Sequence, residues 1–343
     1  MTATPTPPLA ARERGWRLIV VALILFVLVP ATPLRIVVPI EQTIVLIVPV
    51  IAVLSILAWR NGGRAWFALT WIALATWMLA RPGMDSGPYD LLARGWAVLV
   101  AAIFGVLSMV SAGRSFLSRA LASIALAFTL AIGVVLFSNV SPARVQRVLA
   151  DELDRRVLAI DARVAAQTAT PEWQQFAQEY PQMAQMMNEG MAAYREMPRQ
   201  SLPLFPALLA LESLAALALS WGLFHRISRV RVGPPLRPLR EFRFGDQLVW
   251  GLLAGMAIML IPPLSGARAL GINLLVFFGG LYALRGLGVL AWFMANRRLA
   301  QVALAILAVL TLPLSPFLSL GISVGVGLGD TWIDWRSRAR PVS

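Results

Sequence analysis

The chain has 343 residues, 58% of them hydrophobic and 14% charged, with a formal net charge of +13. A soluble domain is on average about a quarter charged, so this balance excludes an ordinary soluble core and points to a bilayer. There is no cysteine and one histidine, His225, which excludes disulfides, thiol nucleophiles, cysteine-ligated metals and His-dependent triads within one chain; no metal or cofactor is indicated.

A spanning helix needs about 20 apolar residues. On that template the predicted spans are 16–32, 43–59, 65–80, 95–113, 120–139, 202–224, 247–264, 269–294, 299–312 and 315–335. Pro313 and Pro316 interrupt the last apolar run, which is either two helices joined by a tight turn or one broken helix. Ten spans are favoured, with nine as the alternative. The first span is a retained helix rather than a cleaved signal peptide, because no small-x-small cleavage site follows it.

Every basic residue is an arginine, and their placement orients the chain. With the N-terminus inside, the inner segments (the N-terminal tail, 60–64, 114–119, 225–246, 297–298 and the C-terminal tail) hold eighteen arginines. The short outer loops hold four: Arg35, Arg81, Arg94 and Arg268. The positive-inside rule then puts both termini in the cytoplasm of a bacterial inner membrane. Arginines that cap apolar segments also argue against nucleic acid as a partner. Tryptophans 16, 59, 66, 221, 250 and 335 fall near span ends, as interfacial anchors do. The predicted fold class is thus an all-α, polytopic transmembrane helical bundle. It divides into an N-terminal bundle (1–139), an extracytoplasmic hairpin (140–200), a C-terminal bundle (201–336) with a basic loop (225–246), and a tail (337–343).

The outer segment 140–200 is nearly neutral, with seven arginines and eight acids. Ser141-Pro142 and Thr170-Pro171 are helix starts, each an N-cap followed by proline at the first helical position. Val145, Val148, Leu149, Leu153, Val157, Ile160 and Val164 make one amphipathic stripe, and Trp173, Phe176, Tyr180, Met183, Met187, Met191 and Tyr194 a second. This is a helical hairpin packed on itself or on the membrane surface; as a lid or partner-binding cap, its flexible Met side chains would suit varied contacts.

Ionisable residues at membrane depth are expensive and face the bundle interior. Glu212 lies mid-way along the sixth span and Arg285 within the eighth. Both spans run inward, and helical side chains point back toward the N-terminus, so Arg285 reaches toward the level of Glu212. The two either pair or line one polar cavity, which Asn273 joins; the plain reading is a static buried salt bridge. Small residues at four-residue spacing, Gly251 and Gly255 and then Gly321, Gly325 and Gly329, read as helix-packing stripes. Gly327-Leu328-Gly329-Asp330, with Tyr89-Asp90, mimics the motifs of intramembrane aspartyl proteases. That chemistry needs two aspartates sharing a proton inside the membrane, and Asp90 falls in an outer loop while Asp330 falls near the inner boundary. The inner loop reads as topogenic and in contact with anionic lipid, or as a dock for a cytoplasmic partner, with the next helix capped at Asp246.

Three stretches resemble the YybS-like family of bacterial integral membrane proteins: Phe242-Arg243-Phe244-Gly245-Asp246-Gln247-Leu248-Val249-Trp250; Asn273 with Leu281-Tyr282-Ala283-Leu284-Arg285-Gly286-Leu287; and Gly329-Asp330-Thr331-Trp332-Ile333-Asp334-Trp335-Arg336. The resemblance covers roughly 200–340 and rests only on hydropathy before that. It marks Phe242, Arg243, Phe244, Asp246, Trp250, Gly286, Asp330, Trp332, Asp334 and Arg336 as motif positions. The family is distantly similar to substrate-binding subunits of energy-coupling-factor transporters, which implies solute capture and docking on an energising module. The expected function is therefore transport-related, with a ligand site around Glu212, Asn273 and Arg285. The alternative is a membrane scaffold or assembly factor acting through the outer hairpin and the basic loop. No catalytic constellation is present, so an enzyme is not expected; the bilayer is the certain partner, and the oligomeric state is open.

Overall fold

The structure, a computed structural model, describes residues 40–81, 87–111, 113–138, 140–189, 201–296 and 316–338. The expected spans 16–32 and 299–312 lie outside those residues, as do Met191 and Tyr194 of the hairpin stripe. Every regular element among the described residues is a helix. They fall into two compact units: the first is built from 40–236 and 244–281, the second from 237–243 and 282–338.

The first unit holds α1 (Ile40–Arg60), α2 (Ala65–Ala80), α3 (Pro88–Val110), α4 (Phe116–Phe137), α5 (Pro142–Thr168), α6 (Pro171–Glu179), α7 (Phe205–Ile227), α8 (Val249–Leu260) and the first half of α9 (Arg268–Asn296). α1 packs against α2, α3 and α7, and α4 closes on α3 and α7. Leu46, Val50, Leu54 and Leu57 recur at three or four residues on α1 and meet Val100 and Phe104 of α3 and Leu214, Leu217 and Trp221 of α7 in one core. Lipid is as apolar as leucine, so close packing rather than burial drives such contacts. Small residues supply the closeness: Ala97, Ala101, Ala120, Ala127 and Ala210 line the core, and a Cβ at Gly105 would strike Val53.

Contacts between helices give their relative sense. Trp96 Nε1 donates to Ser213 Oγ at 2.9 Å, and eight residues further on in both helices Phe104 meets Trp221 edge-on. α3 and α7 are therefore parallel. Thr43 with Glu212 and Ile47 with Ser220 make α1 and α7 parallel too. α8 runs against α9, with Gly251 facing Phe278 and Gly255 facing Gly271 and Leu275. This alternation is what successive membrane crossings require. Five helical stretches are long and apolar enough to cross a bilayer: Thr43–Arg60, Pro88–Val110, Phe116–Phe137, Leu202–Ile227 and Pro262–Phe293. Three shorter apolar helices, Ala65–Ala80, Asp246–Leu260 and Leu320–Ile333, complete the set. Each of the eight expected spans within the described residues has its helix.

Several boundaries differ from the hydropathy reading. α3 begins at Pro88, with proline in its first turn. Asp90 is thus not in an outer loop but in that turn, paired with Arg94 at 2.8 Å. α4 begins at Phe116, where the Ser115 side chain accepts the Ser118 N–H; Arg119, expected in an inner loop, is inside the helix and 1% exposed. α8 stops at Leu260 because Pro262 and Pro263 cannot donate, and 3-10 turns flank it at Asp246–Leu248 and Pro262–Ala267. Gly245, rather than Asp246, occupies the N-cap position of the turn before α8. The hairpin starts as expected, with Ser141 accepting from Arg144 N and Thr170 from Trp173 N. Its second arm is broken, however. α6 ends at Glu179, Tyr180 leaves the helical region, and a further helix occupies 181–189. Pro181 explains the break, since proline excludes the helical conformation from the residue before it. Trp221, expected as an interfacial anchor, is fully buried, whereas Trp59, Trp66 and Trp250 are exposed.

The second unit consists of the rest of α9, a 3-10 turn at Leu239–Glu241, α10 (Pro316–Ile333) and α11 (Trp335–Arg338). α9 and α10 touch backbone to backbone: a Cβ at Gly286 would run into the Ser323 carbonyl, and one at Gly327 into the Tyr282 carbonyl. Gly321 and Gly325 were expected to form the packing stripe, yet a Cβ added at either would meet no atom of the described residues within 4 Å. Arg285 of α9 reaches Asp330 of α10.

Candidate functional site

In the first unit, Glu212 sits two turns into α7, about 10 Å along its axis from Phe205. Thr43 Oγ1 of α1 donates to its Oε1 at 3.0 Å. Among the described residues Glu212 makes no ion pair. Arg156, from the hairpin helix α5, lies within Coulombic range; its guanidinium stacks over Tyr89 at 5.0 Å at the start of α3. Glu212 is thus a half-buried carboxyl within a candidate membrane span, held by one hydroxyl.

Asn273 does different work. Its Nδ2 donates to the Pro203 carbonyl at 2.7 Å and the Ala269 carbonyl at 2.6 Å, and its Oδ1 accepts the Ala207 N–H at 2.9 Å. The first N–H groups of a helix have no partner within it, so Asn273 caps α7 from a neighbouring helix. Both its amide hydrogens are committed to backbone.

Arg285 is 4% exposed and is paired with Asp330. The sequence reading paired it with Glu212 or set both on one polar cavity; the carboxylate it is paired with is Asp330, brought close by the Gly286 and Gly327 crossing. Asp330 Oδ2 accepts from Arg285 Nε at 3.0 Å and from Arg336 Nη2 at 2.6 Å, and Oδ1 accepts from Arg336 Nε at 3.4 Å. Arg336 Nη1 also donates to the carbonyls of Arg240 and Phe242, both at 3.1 Å. Asp330 is 1% and Arg336 2% exposed. One buried aspartate thus joins two buried arginines and pins the basic loop to the end of α10.

A second, exposed pair lies alongside. Arg243 Nη2 reaches Asp334 Oδ1 at 2.6 Å. Asp334 has φ 44°, the left-handed turn from α10 into α11, a conformation aspartate tolerates better than most residues. Desolvation pushes its carboxyl up, but hydrogen bonds from Ser337 and Arg243 and the Arg243 charge outweigh that, and it sits below the ordinary aspartate value. Beside the pairs is a cavity of about 480 Å³ walled by Arg237, Arg240, Arg243 and Arg336, with Glu241, Trp292 and Ser337.

Of the ten motif positions, Phe242, Arg243, Gly286, Asp330, Asp334 and Arg336 therefore converge in the second unit. Phe244 packs on the core of the first, Asp246 opens the turn before α8, and Trp250 and Trp332 are exposed. Sequence reasoning missed Arg119, whose guanidinium lies over Trp221 at 4.4 Å; the Ser115 cap was the available signal.

Long apolar helices packed side by side, with no strand among the described residues, define an α-helical membrane protein. The chain belongs to the family described as Predicted membrane protein (DUF2232), which matches it over residues 18–331. That range includes Glu212, Asn273, Arg285 and Asp330. No curated protein and no solved structure matches the chain.

Proposed function

We propose that this membrane protein is transport-related, a solute-binding membrane subunit whose polar intramembrane site is centred on Glu212. The observation that carries this reading is a carboxyl at membrane depth with a single hydroxyl partner and no ion pair among the described residues. A purely structural carboxylate at that depth is expected to be in direct ion pairs, as Asp330 is; one held by a hydroxyl, with the Arg156 charge only within Coulombic range, is by default a functional group. Asn273 and Arg285 are committed elsewhere, which narrows the site to Glu212, with Thr43 as its positioning partner. The arginine distribution supports a cytoplasmic membrane with both termini inside.

A second reading, a scaffold or assembly factor, draws on the hairpin, where Leu158, Met183, Met186 and Met187 are exposed. Complementation in the native host separates the two. Under transport, Glu212→Gln keeps the Thr43 hydrogen bond and the fold but fails to restore the phenotype of a deletion strain. Under scaffolding, Glu212→Gln complements fully, and the phenotype follows removal of 142–198 or neutralisation of the arginines between 226 and 243. Co-purification of ATPase subunits from that host supports the first reading; envelope-assembly proteins support the second.

A further inference from the structure

We propose that the basic pocket of the second unit is a binding site for a phosphate ester, foremost the headgroup of an anionic phospholipid. Four guanidinium groups face one carboxylate, Glu241, across a cavity of about 480 Å³, within the usual range for small-ligand sites. The base of the pocket is preorganised. Arg336 is held by Asp330 and by two backbone carbonyls, and Arg243 by Asp334. The rim is not. Arg240 lies 3.7 Å from Glu241, both more than half exposed, and Arg237 makes no ion pair among the described residues. Two exposed rim cations, one of them held only by a long solvent-exposed pair, over a floor of fixed guanidinium groups are the arrangement that a phosphate oxyanion rewards, because guanidinium forks match its oxygens in pairs.

Position selects the source. Trp292 lines the pocket from α9, and the apolar stretch Pro262–Phe293 ends one residue beyond it. The pocket therefore opens where a spanning helix ends and headgroups begin, the level at which tryptophan anchors collect and basic pockets between spans take anionic headgroups. The inference does not depend on Glu212 or on transport.

The test uses the full chain in detergent, with a double variant, Arg237→Gln with Arg240→Gln. Both residues are exposed and lie outside the buried Asp330 cluster, so folding is preserved. Arg229→Gln with Arg231→Gln removes the same charge from the same loop but outside the pocket. Phosphatidylglycerol retained per chain is counted by native mass spectrometry, and binding of inorganic phosphate is titrated calorimetrically. The expected result is a loss of about tenfold or more in phosphatidylglycerol affinity for the pocket variant and little change for the control. Competition by millimolar phosphate or a soluble phosphate monoester, with phosphatidylglycerol indifferent to the variants, assigns the site to a free phosphorylated solute. Equal losses in both variants, or none in either, overturn the proposal, since binding would then follow net charge or not involve the pocket.

Discussion

Arg285 grips Asp330 twice, with Nε on the carboxylate at 3.0 Å and Nη2 on the backbone carbonyl at 3.1 Å. The carboxylate is shared with Arg336, so one negative charge serves two buried guanidiniums. Removing one partner of a buried ion pair costs about 3–5 kcal/mol, while replacing all partners with apolar residues is often neutral. Asp330→Asn is expected to destabilise by that order. Arg285→Gln should do less harm, because Arg336 still holds Asp330. Changing Asp330 to Leu together with Arg285 and Arg336 to Met should recover most of the loss. Thermal unfolding of the purified variants in detergent measures this; an Asp330→Asn protein as stable as the parent would show that the cluster is not structural.

The Gly286 and Gly327 crossing brings these charges together, and it separates glycines that are required from glycines that are not. Gly286→Ala and Gly327→Ala each drive a methyl group into a facing carbonyl, and overpacking costs typically about 1–3 kcal/mol or more. Gly321→Ala and Gly325→Ala meet open space among the described residues and gain helix propensity of up to about 1 kcal/mol. The first two should lower the midpoint of thermal unfolding and the last two leave it unchanged or raise it. A uniform response at all four sites would contradict the crossing.

The Arg243 and Asp334 pair gives a dependence on pH with a definite sign. The folded carboxyl is held below its ordinary value, so its contribution is fully present above the unfolded value, about 3.9. It is lost as the pH falls through the lowered folded value. Exposed pairs contribute about 0.2–1 kcal/mol. Arg243→Gln should therefore show a small stability deficit at neutral pH that shrinks on acidification below the ordinary aspartate range. A deficit that persists unchanged into strong acid would assign the effect of Arg243 to packing.

The helices were legible because a bilayer imposes a coarse rule, and each predicted span within the described residues has its helix. Their ends were less so. Hydropathy does not see Pro88, Ser115 or Pro262, which set the ends of α3, α4 and α8 through backbone donors rather than through apolarity. The pairing of charges was the least legible. Depth along parallel helices put Arg285 level with Glu212, but the actual partner came from a backbone contact at two glycines, neither at the four-residue spacing of the recognised stripe. Motif residues far apart in the chain, Phe242, Asp330 and Arg336, met because one guanidinium can serve a carboxylate and two carbonyls at once.

Arg119 shows the opposite condition to Asp330. It is 1% exposed, and none of its three guanidinium nitrogens has a hydrogen-bond partner among the described residues. Its compensation there is the face of Trp221 at 4.4 Å, with Phe104 and Phe116 packed around the same ring. A cation over a desolvated aromatic ring gains about 2 kcal/mol, less than the several kcal/mol by which burial penalises an ion. Arg119→Met keeps the length and the contact with Trp221 while removing the charge, and it is expected to raise thermal stability. Trp221→Leu should lower it, by loss of the ring from the core and of the Nε1 hydrogen bond to the Pro234 carbonyl at 3.1 Å. In the double variant the two changes should not add, because contacting residues couple. A destabilised Arg119→Met protein would mean that the guanidinium is neutralised in the membrane by a group drawn from outside the described residues.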